Sequence, residues 1–125
     1  QVFQGDQLRA YPGRPGRRVI AQPLHDAGSA NPANPQGPAG SVRIAADGST
    51  AAFVPARRAL TWQTTDRAGT PIVRERNWIS FQPGEMRTCA SCHGTNTANQ
   101  AGLAAPRNKP QALRDLLKYW KTLPQ

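Results

Sequence analysis

Aliphatic bulk is what this chain has least of. Leu, Ile, Val and Phe together fill 20 of its 125 positions. With a net charge of +9, that scarcity leans towards disorder unless something else supplies an apolar core. No apolar run approaches the roughly 20 residues that a membrane-spanning helix needs, so no transmembrane segment is expected. The seven acidic residues offer no carboxylate pair. No obvious nucleophile or substrate motif stands out either, which argues against chemistry of the chain's own. The chain begins at Gln1 with neither a methionine nor a charged and apolar leader, and it reads as a processed or excised product.

Cysteine occurs twice and histidine twice, yet three of these four residues stand together. Cys89-Ala90-Ser91-Cys92-His93 places two thiols three positions apart, with an imidazole directly after the second. This is the attachment pattern of a c-type haem. The spacing is about one helical turn, so both sulfurs reach the vinyl groups on one porphyrin edge while His93 becomes the proximal iron ligand. Three other readings compete. A thioredoxin-like redox pair wants a βαβ setting, which is absent from the pattern. Zinc needs four ligands, and only Cys89, Cys92, His93 and His25 are on offer, two of them adjacent. A plain disulfide leaves His93 unexplained.

One covalent haem c would also supply the missing apolar body, letting a chain of this size close into one domain that unfolds when the haem is lost. Thioether attachment takes place outside the bacterial cytoplasm, so the expected location is periplasmic or extracellular. The positive charge is mostly arginine, thirteen against three lysines. Arginine pairs in fork geometry with carboxylates: haem propionates, or the acidic docking face of a redox partner. Nucleic acid is not expected as a partner, because no basic stretch is interleaved with stacking aromatics.

Along the chain, residues 1–16 are rich in Gln, Gly, Pro and Arg and read as an extended arm or linker, with a single haem domain over 17–125. Arg17 to His25 suits a strand. Asn31 to Pro38 is a proline-rich loop without a core. Ser41 to Ala46 and Thr50 to Val54 alternate around Asp47-Gly48, the pattern of a β-hairpin. A second hairpin runs from Leu60 to Thr65, turns at Asp66 to Gly69, and returns from Ile72 to Phe81. Alternation there sets Arg74, Arg76 and Trp78 on one face, where Trp78 packs on the haem edge while an arginine meets a propionate, or the arginine stems lie over the rim of an ordinary sandwich strand. Gln82-Pro83-Gly84-Glu85 ends the strand just before the haem motif. Residues 94–109 read as a polar loop. Leu113, Leu116, Leu117 and Trp120 form one stripe of a helix over 110–121, with Asn108 or Lys109 before a first-turn proline. The fold class is β-rich α+β: a small module of antiparallel hairpins, then the haem segment, then a C-terminal amphipathic helix.

The sixth iron ligand has two side-chain candidates. His25 at the end of its strand comes first, an open or water-bound iron second, and Met86 last, because Met86 lies only three residues before Cys89. The choice tunes function: two histidines favour a lower potential, methionine raises it, and an empty position admits small ligands.

Ala46-Asp47-Gly48-Ser49, Val54-Pro55-Ala56, Trp62-Gln63-Thr64-Thr65-Asp66, Arg76-Asn77-Trp78 and Gln82-Pro83-Gly84-Glu85 lead up to Cys89 to Gly94, and Pro110-Gln111-Ala112-Leu113 to Trp120-Lys121 closes the chain. Over residues 41–121 this series resembles the C-terminal haem-bearing domain of large secreted bacterial proteins related to the hydrazine synthase alpha subunit. The resemblance implies a β-rich module that precedes one covalent haem and belongs to a longer chain with other domains. It carries Cys89, Cys92 and His93 over as thioether anchors and proximal ligand, and it implies an aliphatic residue where Met86 stands. It gives no support to His25, leaves Asn31 to Pro38 unmatched, and carries no catalytic site across.

The expectation is therefore a monohaem c-type cytochrome domain that carries electrons inside a larger secreted redox protein or complex. An open distal iron would make it a ligand-binding or catalytic domain instead, and a haem remote from other centres would make it a structural subunit.

Overall fold

In the computed structural model, residues 1–8, 13, 18–89 and 109–124 are described. Four strands and one helix form among them: β1 (Val2–Leu8), β2 (Arg18–Pro23), β3 (Leu60–Thr65), β4 (Pro71–Arg74) and α1 (Gln111–Trp120). The strands make one sheet in the order β2-β1-β3-β4, each neighbouring pair antiparallel.

The stretch expected to be an arm supplies an interior strand of this sheet. β1 pairs with β2 from Phe3 opposite Pro23 to Leu8 opposite Arg18, and with β3 from Val2 opposite Trp62 to Gln4 opposite Leu60. Residues 2–8 therefore belong to the sheet and do not form an extended arm outside it. Strand periodicity places Val2 and Gln4 on one face, and both are buried. One of these two core positions is a glutamine, which is why composition reads the segment as solvated.

The buried set is small. Val2, Leu60 and Leu116 are its apolar members among the described residues, with Leu60 fully covered, and Gln4 and Gln63 are its polar ones. Gln63 Nε2 donates to Gln1 Oε1 at 2.8 Å. Gln4 Oε1 is buried without a hydrogen-bond partner, an uncompensated desolvation inside a thin core.

The β3–β4 hairpin forms as expected. Asp66 Oδ1 accepts from Thr70 N–H at 2.8 Å, and Gly69 takes φ +86. The return strand is shorter than the alternation implies. Glu75 Oε1 accepts from the Arg76 and Asn77 amides at 2.7 and 2.8 Å. This side-chain turn lifts the chain away from β3, and it rejoins only where Ile79 bridges Leu60. Arg74, Arg76 and Trp78 consequently do not share the face of one continuous strand, and all three are exposed.

The hairpin expected over 41–54 is absent. Asp47-Gly48 does make a tight turn, with Gly48 at φ +80 and Ala45 N–H donating to Ser49 O at 2.8 Å, but neither flank is a strand. A side chain takes the place of the partner strand. Asn31 Oδ1 accepts from Phe53 N–H at 2.7 Å while Asn31 Nδ2 donates to Phe53 O at 2.9 Å. The proline-rich loop is in turn pinned to itself, Asn34 Nδ2 donating to Ser41 Oγ at 2.9 Å.

Helix α1 forms where its stripe places it, with Pro110 at the cap position and not in the first turn. Pro110 brings no capping side chain. The turn 64 residues upstream supplies the cap: Asp47 Oδ2 accepts from Gln111 N–H at 2.8 Å, and Ser49 Oγ from Ala112 N–H at 3.1 Å. Two of the amides left orphaned at every helix start are satisfied in this way. Leu116 is buried, whereas Leu117 and Trp120 remain 47% and 46% exposed, and no described strand lies against α1. No helix among the described residues is long and apolar enough to cross a membrane.

Candidate functional site

The chain leaves the sheet towards the haem motif through a well-tied turn. In Gln82-Pro83-Gly84-Glu85, proline presets the first corner and Gly84 adopts φ +75, the requirement of a type II turn. Glu85 N–H donates to Gln82 O at 3.1 Å, and Gln82 N–H donates to Glu85 Oε2 at 2.8 Å. The Gln82 amide, aided by the Arg87 guanidinium, holds the Glu85 carboxyl below its ordinary range. Arg87 pairs with Glu85 and lays its Cζ 5.0 Å from the centroid of the Phe81 ring. These contacts tie the segment as far as residue 87.

Two residues later comes Cys89, exposed and free. Cys92 and His93 lie outside the described residues, as does the expected loop 94–109 except for Lys109. Met86 is 82% exposed. His25 follows β2 and is held by its own strand end. Its Nδ1 donates to the Pro23 carbonyl oxygen at 2.8 Å, and Nε2 sits 3.4 Å from Asp6 Oδ2. No hydrogen bond or ion pair joins His25, Met86 and Cys89 to one another, and no cluster of three His, Cys, Asp or Glu side chains forms among the described residues.

Of the donors that the motif would give a thioether-linked haem, Cys89 alone lies among the described residues. An exposed thiol is free for alkylation, and a histidine whose Nδ1 donates to a backbone carbonyl has the outer-shell arrangement typical of metal-ligating imidazoles.

Two groups of functional residues are not signalled by sequence spacing. The first is Asp47 with Ser49. The Ser49 hydroxyl donates to Asp47 Oδ1 at 2.6 Å, and with the Gln111 and Ser49 amides it draws the Asp47 carboxyl down to about 2. This turn therefore ties the start of α1 to the body of the fold. The second is Arg57 with Arg58. Both are exposed, at one wall of an open groove of about 500 Å³ between residues 26–29 and 54–58. Arg57 is the one non-glycine with positive φ (56) among the described residues, and its N–H donates to Phe81 O at 2.8 Å. Nothing in a Pro-Ala-Arg-Arg stretch announces a left-handed arginine.

Residues 9–94 match the family model described as the hydrazine synthase alpha subunit middle domain. The match begins well before residue 41, where the sequence resemblance starts, and ends directly after His93. It is described as a middle domain, where the resemblance is to a C-terminal one. No curated protein and no solved structure matches the chain.

Proposed function

We propose, from the premise that this chain belongs to the hydrazine synthase alpha subunit middle domain family, that it is a monohaem c-type module carrying electrons within a larger secreted redox protein or complex. The observation that carries this reading is Cys89-Ala90-Ser91-Cys92-His93 inside the matched stretch. Cys89 and Cys92 would hold the haem through thioethers and His93 would bind its iron. When bound, the haem supplies a one-electron ferric and ferrous couple. The chain supplies the setting: the Gln82–Glu85 turn presents Cys89, and the net charge of +9 attracts an acidic partner at long range. The location is the periplasm or the cell exterior.

His25 is the side chain proposed as a second iron ligand: its Nδ1 is engaged by Pro23 O, so Nε2 would bind the iron on release from Asp6. A second reading rests on the same region: Nε2 faces Asp6 and Met86 lies in solvent, which favours an open iron that binds small ligands.

The test is production of the chain with a periplasmic haem-maturation system, followed by absorption spectra of the oxidised and dithionite-reduced protein with and without carbon monoxide. Six-coordinate spectra unchanged by carbon monoxide, and lost in His25→Ala, support electron transfer. A carbon monoxide adduct in the unaltered protein moves the function to ligand binding or catalysis. Absence of a covalent haem that depends on Cys89 and Cys92 refutes both.

A further inference from the structure

We infer that Arg57 and Arg58 form a carboxylate-binding pair that takes the two propionates of the haem anchored at Cys89, an inference that rests on the haem reading above. A series of contacts leads from Arg57 towards the anchor. Arg57 N–H is bonded to Phe81 O at 2.8 Å, the Arg87 guanidinium lies over the Phe81 ring at 5.0 Å, and Cys89 follows Arg87 by two residues, at most about 7 Å between Cα atoms.

Charge then separates Arg87 from Arg57 and Arg58. Arg87 is neutralised by Glu85. Arg57 and Arg58 have no ion-pair partner among the described residues, so two uncompensated positive charges are available to a ligand with two negative ones. Asp26, on the groove's opposite wall, turns Oδ1 to the Gly28 N–H at 2.9 Å; it repels an anion there and confines it to the arginine side. The left-handed backbone at Arg57, unfavourable for a long side chain, is the kind of local strain that collects at ligand clamps. Arg74 at the end of the short β4 and Arg76 beyond it, the arginines that strand alternation nominates for this task, are exposed and do not line this groove.

The experiment compares Arg57→Gln, Arg58→Gln and the double variant with Arg74→Gln as control, all haem-loaded. The readouts are the midpoint potential and its dependence on pH. Loss of the guanidinium partners should lower the potential and move the propionate-linked pH dependence upward by about one unit or more, while Arg74→Gln leaves both in place. Potentials and pH profiles equal to the control overturn the inference. If the unaltered chain takes up no haem, succinate is titrated against it with the arginine Nε–H resonances as probe. Saturable shifts lost in the double variant then uphold the carboxylate pair and refute only the haem reading, whereas no shifts refute both.

Discussion

Replacing Ser49 by alanine tests whether the remote cap holds α1. A ten-residue helix is marginal in water by itself, and this one has no strand against it, so its first turn depends on the hydroxyl and carboxylate of a turn 64 residues away. In Ser49→Ala the Ala112 N–H loses its 3.1 Å acceptor and Asp47 Oδ1 loses its 2.6 Å hydroxyl donor. Loss of a helix-capping hydroxyl costs about 1 kcal/mol, which for a domain of this size lowers Tm by roughly 4 °C. Thermal unfolding followed by circular dichroism gives the Tm, and amide exchange locates the effect. Ala112 should exchange faster while Leu60, at the sheet centre, is unchanged until global unfolding. Ser49→Thr keeps the hydroxyl and should recover most of the loss. If Ser49→Ala leaves both Tm and Ala112 exchange unchanged, the cap is not what docks the helix.

Gly40 and Gly48 both have positive φ, +69 and +80, but differ in surroundings. A Cβ at Gly40 would lie 2.6 Å from Leu24 N and 3.0 Å from Val2 O, whereas one at Gly48 meets nothing within 4 Å. Urea titration should accordingly show Gly40→Ala costing roughly 2 to 4 kcal/mol and Gly48→Ala about 1 kcal/mol; equal losses would contradict the packing. Gln4→Met removes the orphaned Oε1 at similar volume and should stabilise by about 1 kcal/mol in the same assay, with destabilisation counting against a true orphan. Acid titration reads Asp47, whose folded carboxyl is near 2 against an ordinary 3.8. Its contribution is fully present above 3.8 and is lost as pH falls through about 2. Glu85, also lowered, acts in the same direction. Asp47→Asn should flatten the fall of Tm between pH 4 and 2, and an unchanged slope would place the acid sensitivity elsewhere.

Legibility followed the range of the forces. The β3–β4 turn, the Gln82–Glu85 turn and α1 are written locally, in a glycine at a left-handed corner, a proline at a first corner and a stripe of leucines, and each appears close to where its pattern places it. β1 was hidden because Gln4 occupies a core position. The 41–54 hairpin failed for a different reason: alternation was present, but Asn31, 22 residues before Phe53, claimed the hydrogen bonds that a partner strand needs. At the candidate site, spacing nominates Cys89, Cys92 and His93, of which only Cys89 lies among the described residues. The Arg57 and Arg58 wall was not legible, since it depends on a backbone bond to Phe81 that only the fold creates.

With three buried apolar side chains among the described residues, the fold holds its loops by side-chain to backbone bonds instead of by a broad core. Asn31 ties 53 to the proline-rich loop, Glu75 bends the end of β4, and Asp47 with Ser49 ties α1 to the body. Each such bond contributes about 1 kcal/mol net and requires its geometry to be maintained. A body made this way is stable only if several ties hold together, because losing one frees a loop whose ordering the others no longer share. The Gln82–Glu85 turn and the Asp47–Ser49 cap flank the Cys89-to-Pro110 segment on its two sides, so the proposed haem would be attached between the two ties. Attachment there would couple cofactor to fold: the haem would restrict the segment, and the ties would hold its two ends. The coupling is reciprocal, so Ser49→Ala should loosen the haem environment as well as the helix, and haem attachment should slow exchange at Ala112.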